Sequence, residues 1–187
     1  MERPLIPNGE DPSERRRRPC IAITLGDPNG VGPEVVLKCL ADSRLAKFMD
    51  PIVVGSAHVL DVHAQKLGYP DVRIQPVQHV PDETTPGVIT VLDVTGGQKP
   101  DVVFGEISKE GGLLAMQAVE RATDLCLEGR ADAMVTAPVN KESWQMSGSE
   151  DLGHQEVFKR LTGSKYVATM LVSSSPYHRN ATRNIPR

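Results

Sequence analysis

The chain has 187 residues, 24% of them charged, with a net charge of −3. That balance lacks the excess of base that a nucleic-acid surface requires, and aromatic residues at 4% leave few platforms for stacked bases. Hydrophobic content of 39% suits an ordinary globular core, and nowhere do about 18 apolar residues run together to span a membrane.

Residues 1–18 are polar, proline-bearing and charged, and read as a disordered leader. Its basic run, Arg15 to Arg18, is a block of like charge of the kind that stays solvated. The leader has no apolar core of a signal peptide, so a cytoplasmic location is expected. Cys20, Cys39 and Cys126 are odd in number, widely spaced and set among apolar neighbours, which predicts buried reduced thiols. "NAT" at Asn180 matches a glycosylation sequon by pattern alone.

"CIAITL" is the first strand candidate, ending at Gly26. "GPEVVLKCLADSRLA" predicts a helix with a proline in its first turn and Glu34 beside it. "PIVVG" is the next strand, and "SAHVLDVHAQKLG" the next helix, entered at Ser56 and left at Gly68. "VRIQPV" and "GVITVLDV" read as two further strands. The strongest helix lies in "SKEGGLLAMQAVERATDLCLEG", where Leu114, Ala118, Ala122 and Leu125 form one apolar stripe and Gly129 supplies the stop. "ADAMV" follows as a buried strand, "HQEVFKRLTG" as a short helix, and "YVATMLV" as a last strand.

Strands alternating with helices predict an α/β fold around a largely parallel sheet. A strand as apolar as Tyr166 to Val172 belongs inside a sheet with more chain to cover it, yet "SSSPYHRNATRNIPR" follows without hydrophobic period. The expectation is a truncation, natural or from a reading-frame shift, with residues 173–187 as an unmatched tail.

Two stretches are richer in chemistry than a turn requires. "GDPNGVGPE", Gly26 to Glu34, lets backbone amides approach an anion, though it is neither a Walker loop nor a GxGxxG fingerprint. "TAPVNKESW", Thr136 to Trp144, sets a hydroxyl, an amide and a cation behind a proline at a strand end. With "LGHQEVF", and in this order, these stretches resemble the 4-hydroxythreonine-4-phosphate dehydrogenase family of pyridoxal phosphate biosynthesis, whose motifs are similar to GDPxGxGPE, TxPxNK and GHTE. The resemblance covers about Ile21 to Val172, and is carried by three motifs in register.

The resemblance implies an isocitrate/isopropylmalate dehydrogenase-like fold of two α/β lobes, of which residues 19–172 are the N-terminal portion only. It implies a homodimer with the active site in a cleft at the subunit interface. The implied reaction is NAD-dependent oxidation and decarboxylation of a phosphorylated hydroxy acid such as 4-phosphooxy-threonine, with a divalent metal (Zn, Mg or Co). His154 falls on the family's substrate-binding histidine, and Gln155 on a neighbouring substrate-binding threonine. The change to Gln, longer in reach, keeps four-carbon phosphorylated sugar acids and other vicinal diol acids open as substrates. Asp27, Thr136, Asn140 and Lys141 are candidate cleft-lining residues.

The family's three metal-ligating histidines lie downstream of its GHTE motif, so no metal ligand is assigned in this chain. His178 lies in the tail, and His58, His63 and His79 match no ligand position. Plainer readings stand beside these: Asn140 and Thr136 as helix caps, Asp27 and Asn29 as turn formers, Lys141 as a solvated surface lysine. The whole chain has a rival reading from another class, a non-catalytic fragment that folds or dimerises.

Overall fold

The computed structural model describes residues 18–42 and 44–170. Five strands, β1 (Cys20–Thr24), β2 (Asp50–Gly55), β3 (Arg73–Val77), β4 (Val88–Asp93) and β5 (Ala133–Thr136), form one sheet in the order β3-β4-β2-β1-β5. Every pairing is parallel; β1 sets Cys20 against Asp50 of β2 and Ile21 against Ala133 of β5.

Alternation along these strands divides the core. Ile23, Val53 and Val91 face α1 (Gly32–Leu40) and α2 (Ala57–Leu67), where Val36, Leu37, Val59 and Leu60 pack against them. Ala22, Ile52, Val54 and Leu92 face the other way, onto Ala118, Ala122 and Leu125 of α3 (Lys109–Leu127). Strands buried on both faces need this continuous apolar composition, which explains why "CIAIT" and "PIVV" show no polar alternation. On α3 rest α4 (Lys141–Met146) and α5 (His154–Thr162), joined to it through Val119, Trp144 and Val157.

Local chemistry sets most helix ends. The Ser56 hydroxyl accepts from the Val59 amide, and Gly68 closes α2 in the left-handed conformation. Ser108 caps α3 by accepting from Gly111, and Asn140 caps α4 by accepting from Glu142 and Ser143.

Several expectations need correction. "ADAMV" is not a buried strand: β5 pairs only with β1 among the described residues, so Ala133 and Val135 stay exposed. "YVATMLV" forms no strand over residues 166–170, and Tyr166 is 80% exposed. Apolar composition suits a segment to a sheet but does not supply the neighbouring edge that a ladder requires. The helix read through "DSRLA" ends at Leu40, because the Asp42 carboxylate takes the Arg44 amide at 2.9 Å and a separate 3-10 turn follows at Leu45–Lys47. Among the cysteines only Cys20 is buried; Cys39 is exposed and Cys126 partly so. Arg18, counted with the leader, donates to the Asp50 carboxylate at 2.8 Å and to the Ala46 carbonyl. The rest of the leader, Leu171, Val172 and the tail lie outside the described residues.

Candidate functional site

In a parallel sheet the loops after each strand gather at one edge, where ligands of open α/β folds bind. Here the loops after β1, β4 and β5 interlock there. The Asp27 amide donates to the Pro138 carbonyl at 3.1 Å, and the Ala137 amide donates to the Thr24 hydroxyl at 3.2 Å. The two motif loops are therefore bonded to each other directly, and this joins segments more than 100 residues apart in sequence.

Asn29 ties in the third loop. Its amide group donates to the Ser108 hydroxyl at 3.1 Å, its side-chain oxygen accepts from the Val103 amide at 3.0 Å, and its carbonyl accepts from Gly105 at 2.8 Å. The Asp27 carboxylate accepts from the Asn29 amide at 2.9 Å, a local Asx turn. From the opposite side His63, buried in α2, donates from Nε2 to the Pro28 carbonyl at 2.8 Å. Its ring rests on Phe104 at 4.7 Å between centroids. Burial holds the His63 imidazole below the usual histidine range, against the opposing pull of the Pro28 bond and of Glu34.

The glycines of "GDPNGVGPE" serve this interlock. Gly26 has φ +75°, and a Cβ there would overlap the Pro138 carbonyl; a Cβ on Gly32 would lie 2.5 Å from the Leu25 carbonyl oxygen. A dinucleotide loop keeps glycines so that pyrophosphate can approach the backbone. These two face the protein's own backbone, so they do not serve as the glycines of a pyrophosphate cradle. Nor, among the described residues, do three His, Cys, Asp or Glu side chains converge as a metal site.

The candidate residues fall into two places. Asp27 and Asn140 line a depression of about 210 Å³ with Asn29, Glu106 and Pro138. A larger groove of about 560 Å³ lies beside it, at the end of β4, lined by Thr95, Lys99, Glu106 and Glu110. Thr136 ends β5 in register with Thr24, and it is Asn140, not Thr136, that caps the next helix.

His154 and Lys141 form the second place. Each is the first residue of its helix, and the His154 ring meets the Trp144 indole edge to face at 5.4 Å between centroids. Burial, with the Lys141 charge, holds the His154 imidazole below the usual histidine range. Its Nε2 is buried and, among the described residues, without a hydrogen-bond partner. Gln155 is exposed, and its side-chain amide donates to the Thr169 hydroxyl. Sequence reasoning assigned no part to His63, Ser108 or Trp144. Ser108 alone left a signal, standing where an N-cap precedes a long helix.

A parallel sheet whose C-terminal loops are bonded into one rim defines an open α/β fold. The model of the pyridoxal phosphate biosynthetic protein PdxA matches residues 47–186, and the chain belongs to that family. The match begins after "GDPNGVGPE" and runs into the residues set apart above as an unmatched tail. D-threonate 4-phosphate dehydrogenase of Salmonella typhimurium is 35% identical over 152 residues, 81% of this chain and 46% of that one. 4-Hydroxythreonine-4-phosphate dehydrogenase of Desulfosudis oleivorans is 36% identical over 162 residues, 84% of this chain and 46% of its own length. The crystal structure of a 4-hydroxythreonine-4-phosphate dehydrogenase from Burkholderia phymatum superposes with a TM-score of 0.78 at 35% identity, over 84% of this chain and 48% of that one. The chain thus spans about half the length of these curated relatives, both named as dehydrogenases. Its fold is the α/β portion that matches about half of the solved dehydrogenase. Among the described residues no helix is long and apolar enough to cross a membrane.

Proposed function

We propose that the chain supplies part of the substrate site of a dehydrogenase acting on a phosphorylated hydroxy acid. The substrate is 4-phosphooxy-threonine or the 4-phosphate of a four-carbon sugar acid, the two types in the names of its relatives. The observation that carries this reading is the approach of Lys141 to the half-buried His154 at the start of α5: the Lys141 Cε lies 3.9 Å from where a Cβ on Gly153 would stand, and its charge, after burial, lowers the His154 pKa. An anionic group bound beside the two offsets the Lys141 charge and accepts a hydrogen bond from its ammonium. Gln155, one residue on, offers a longer amide contact to the same ligand.

In this reading NAD takes the hydride and a divalent metal acidifies the alcohol, as the family resemblance implies. Gly26 and Gly32 form no dinucleotide cradle and no metal-ligating cluster occurs among the described residues, so no step of that chemistry is assigned to them. Assembly as a cytoplasmic homodimer belongs to the same proposal, as do the leader over residues 1–18 and the domain over 19–172. The test is calorimetric titration of the protein with 4-hydroxythreonine 4-phosphate. Lys141→Ala and His154→Ala are expected to weaken binding at least tenfold; unchanged affinity in both would refute the site.

The second reading is a folded but non-catalytic chain, the alternative that the sequence left open. An NADH-absorbance assay with added divalent metal separates the two. This chain is expected to stay at background while a form extended to the relatives' length turns over. Comparable rates from the two forms would refute the second reading.

A further inference from the structure

The chain leaves the sheet in two directions. After β1 and β2 it turns to the face of α1 and α2, and after β4 it crosses to α3 on the other face. β2 and β4 are neighbours in the sheet, and the Val94 amide closes their ladder on the Gly55 carbonyl at 2.9 Å. Open parallel sheets take ligands outside the strand ends where the connections part in this way. The groove of about 560 Å³ opens there, between α3 and residues 94–108, a long connection with no strand or helix of its own. Its size falls within the range of about 300–1,000 Å³ usual for small-ligand pockets.

The lining joins apolar surface to uncommitted polar groups. Val103 and Leu113 line the groove while 50% and 38% exposed, so apolar area there is open to a ligand. Lys99, Asp101, Glu106 and Glu110 line it too, and none of these four side chains has an ion pair or hydrogen bond among the described residues. Ser108 adds a donor. Its oxygen accepts from the Asn29 side-chain amide and from the Gly111 amide, so its O–H is left to donate and finds no acceptor among the described residues.

The charges narrow the ligand. Three carboxylates against one ammonium disfavour a bare phosphate or pyrophosphate, because like charges brought together are costly. An uncharged flat base with a vicinal diol suits them better. The base covers the apolar side chains, Gln98 and Gln117 offer amides to its edge, and carboxylates accept from ribose hydroxyls as acidic residues do in dinucleotide folds.

We propose that this groove binds a nucleoside, the adenosine end of NAD, with Glu106 and Glu110 as acceptors for the ribose hydroxyls. The inference rests on the reading above only in naming NAD as the molecule to which the nucleoside belongs. Lys99 is the one group of the four that suits the phosphate leading away from the ribose.

The test follows the backbone amide signals of the 187-residue chain by nuclear magnetic resonance during titration with adenosine, NAD and inorganic phosphate. Adenosine and NAD are expected to shift one shared set of signals, within residues 94–99 and 110–117, and phosphate to leave that set unmoved. Leu113→Gln and the double variant Glu106→Gln/Glu110→Gln, at exposed positions, are each expected to weaken adenosine about fivefold. Adenosine that moves no signal in the groove would overturn the proposal, and this needs no variant to fold. Unchanged affinity in both variants, or phosphate moving the same signals as strongly, would overturn it equally. Adenosine bound in the groove with NAD excluded upholds the nucleoside site and overturns its link to NAD. 4-Hydroxythreonine 4-phosphate bound at Lys141, with the groove empty of adenosine, sinks this inference and leaves the substrate reading standing.

Discussion

Gly112→Ala tests a close crossing of two helices. Gly112 lies in the first turn of α3, where α4 crosses it; a Cβ there would overlap the Ser143 carbonyl and lie 2.7 Å from the Trp144 amide nitrogen. Ordinary contact for such a pair is about 3.4–4 Å, so α4 must retreat by roughly 1.5 Å, and the neighbour is backbone that cannot rotate aside. Overpacking of this kind costs about 1–3 kcal/mol. The retreat also lengthens the bond from the Ser108 amide to the Ser143 hydroxyl, already 3.3 Å, at a further cost of about 1 kcal/mol. Alanine returns about 1 kcal/mol through its helix propensity. The balance is a loss of about 1–3 kcal/mol, or a urea midpoint lower by about 1 M at the slopes usual for small domains. Trp144 is the one tryptophan in the chain and is buried, so its fluorescence reports directly on the strained helix. The variant is expected to show red-shifted native emission and an earlier transition. A variant as stable as the wild type, with unchanged emission, would refute the packing argument.

Three further outcomes follow from the same contacts. His63 and His154 both sit below the usual histidine range, chiefly through burial, with Lys141 adding to the effect at His154. As pH falls below about 6.5 the unfolded chain takes up these protons before the folded one, so stability drops until the depressed folded values are passed. Urea midpoints from pH 7 to 5 are expected to decline less steeply in His63→Gln/His154→Gln, and an unchanged slope would contradict this. Asn29→Ala leaves the Val103 amide without its 3.0 Å acceptor and is expected to cost about 2 kcal/mol. Accelerated hydrogen exchange at Val103 is the direct readout, and undiminished protection there would count against the tie. Asn140→Ala removes the acceptor for two α4 amides and is expected to cost about 1 kcal/mol in denaturation, whereas Asn140→Asp keeps the cap and most of the stability.

The sequence by itself determined what local chemistry and periodicity decide. The Ser56 cap, the Gly68 stop, the stripe Leu114, Ala118, Ala122 and Leu125, and the apolar runs of β1 and β2 were all readable, because each depends on residues within a few turns of one another. The family was readable too, through motifs in fixed order. What the tertiary structure decided was neighbourhood. "ADAMV" is as apolar as β1, yet β5 lies at the sheet edge with Val135 exposed, because strand burial belongs to the layers around a strand. Residues 166–170 have a strand's composition and pair with no strand among the described residues. The glycines of "GDPNGVGPE" read as room for an anion, but Gly26 and Gly32 make room for Pro138 and Leu25, contacts that no spacing encodes. His63 matched no motif, and its bond to the Pro28 carbonyl exists because α2 packs against the β1 loop 35 residues away. Trp144 and His154 stand ten positions apart on different helices, and only the crossing of both helices over α3 brings their rings together.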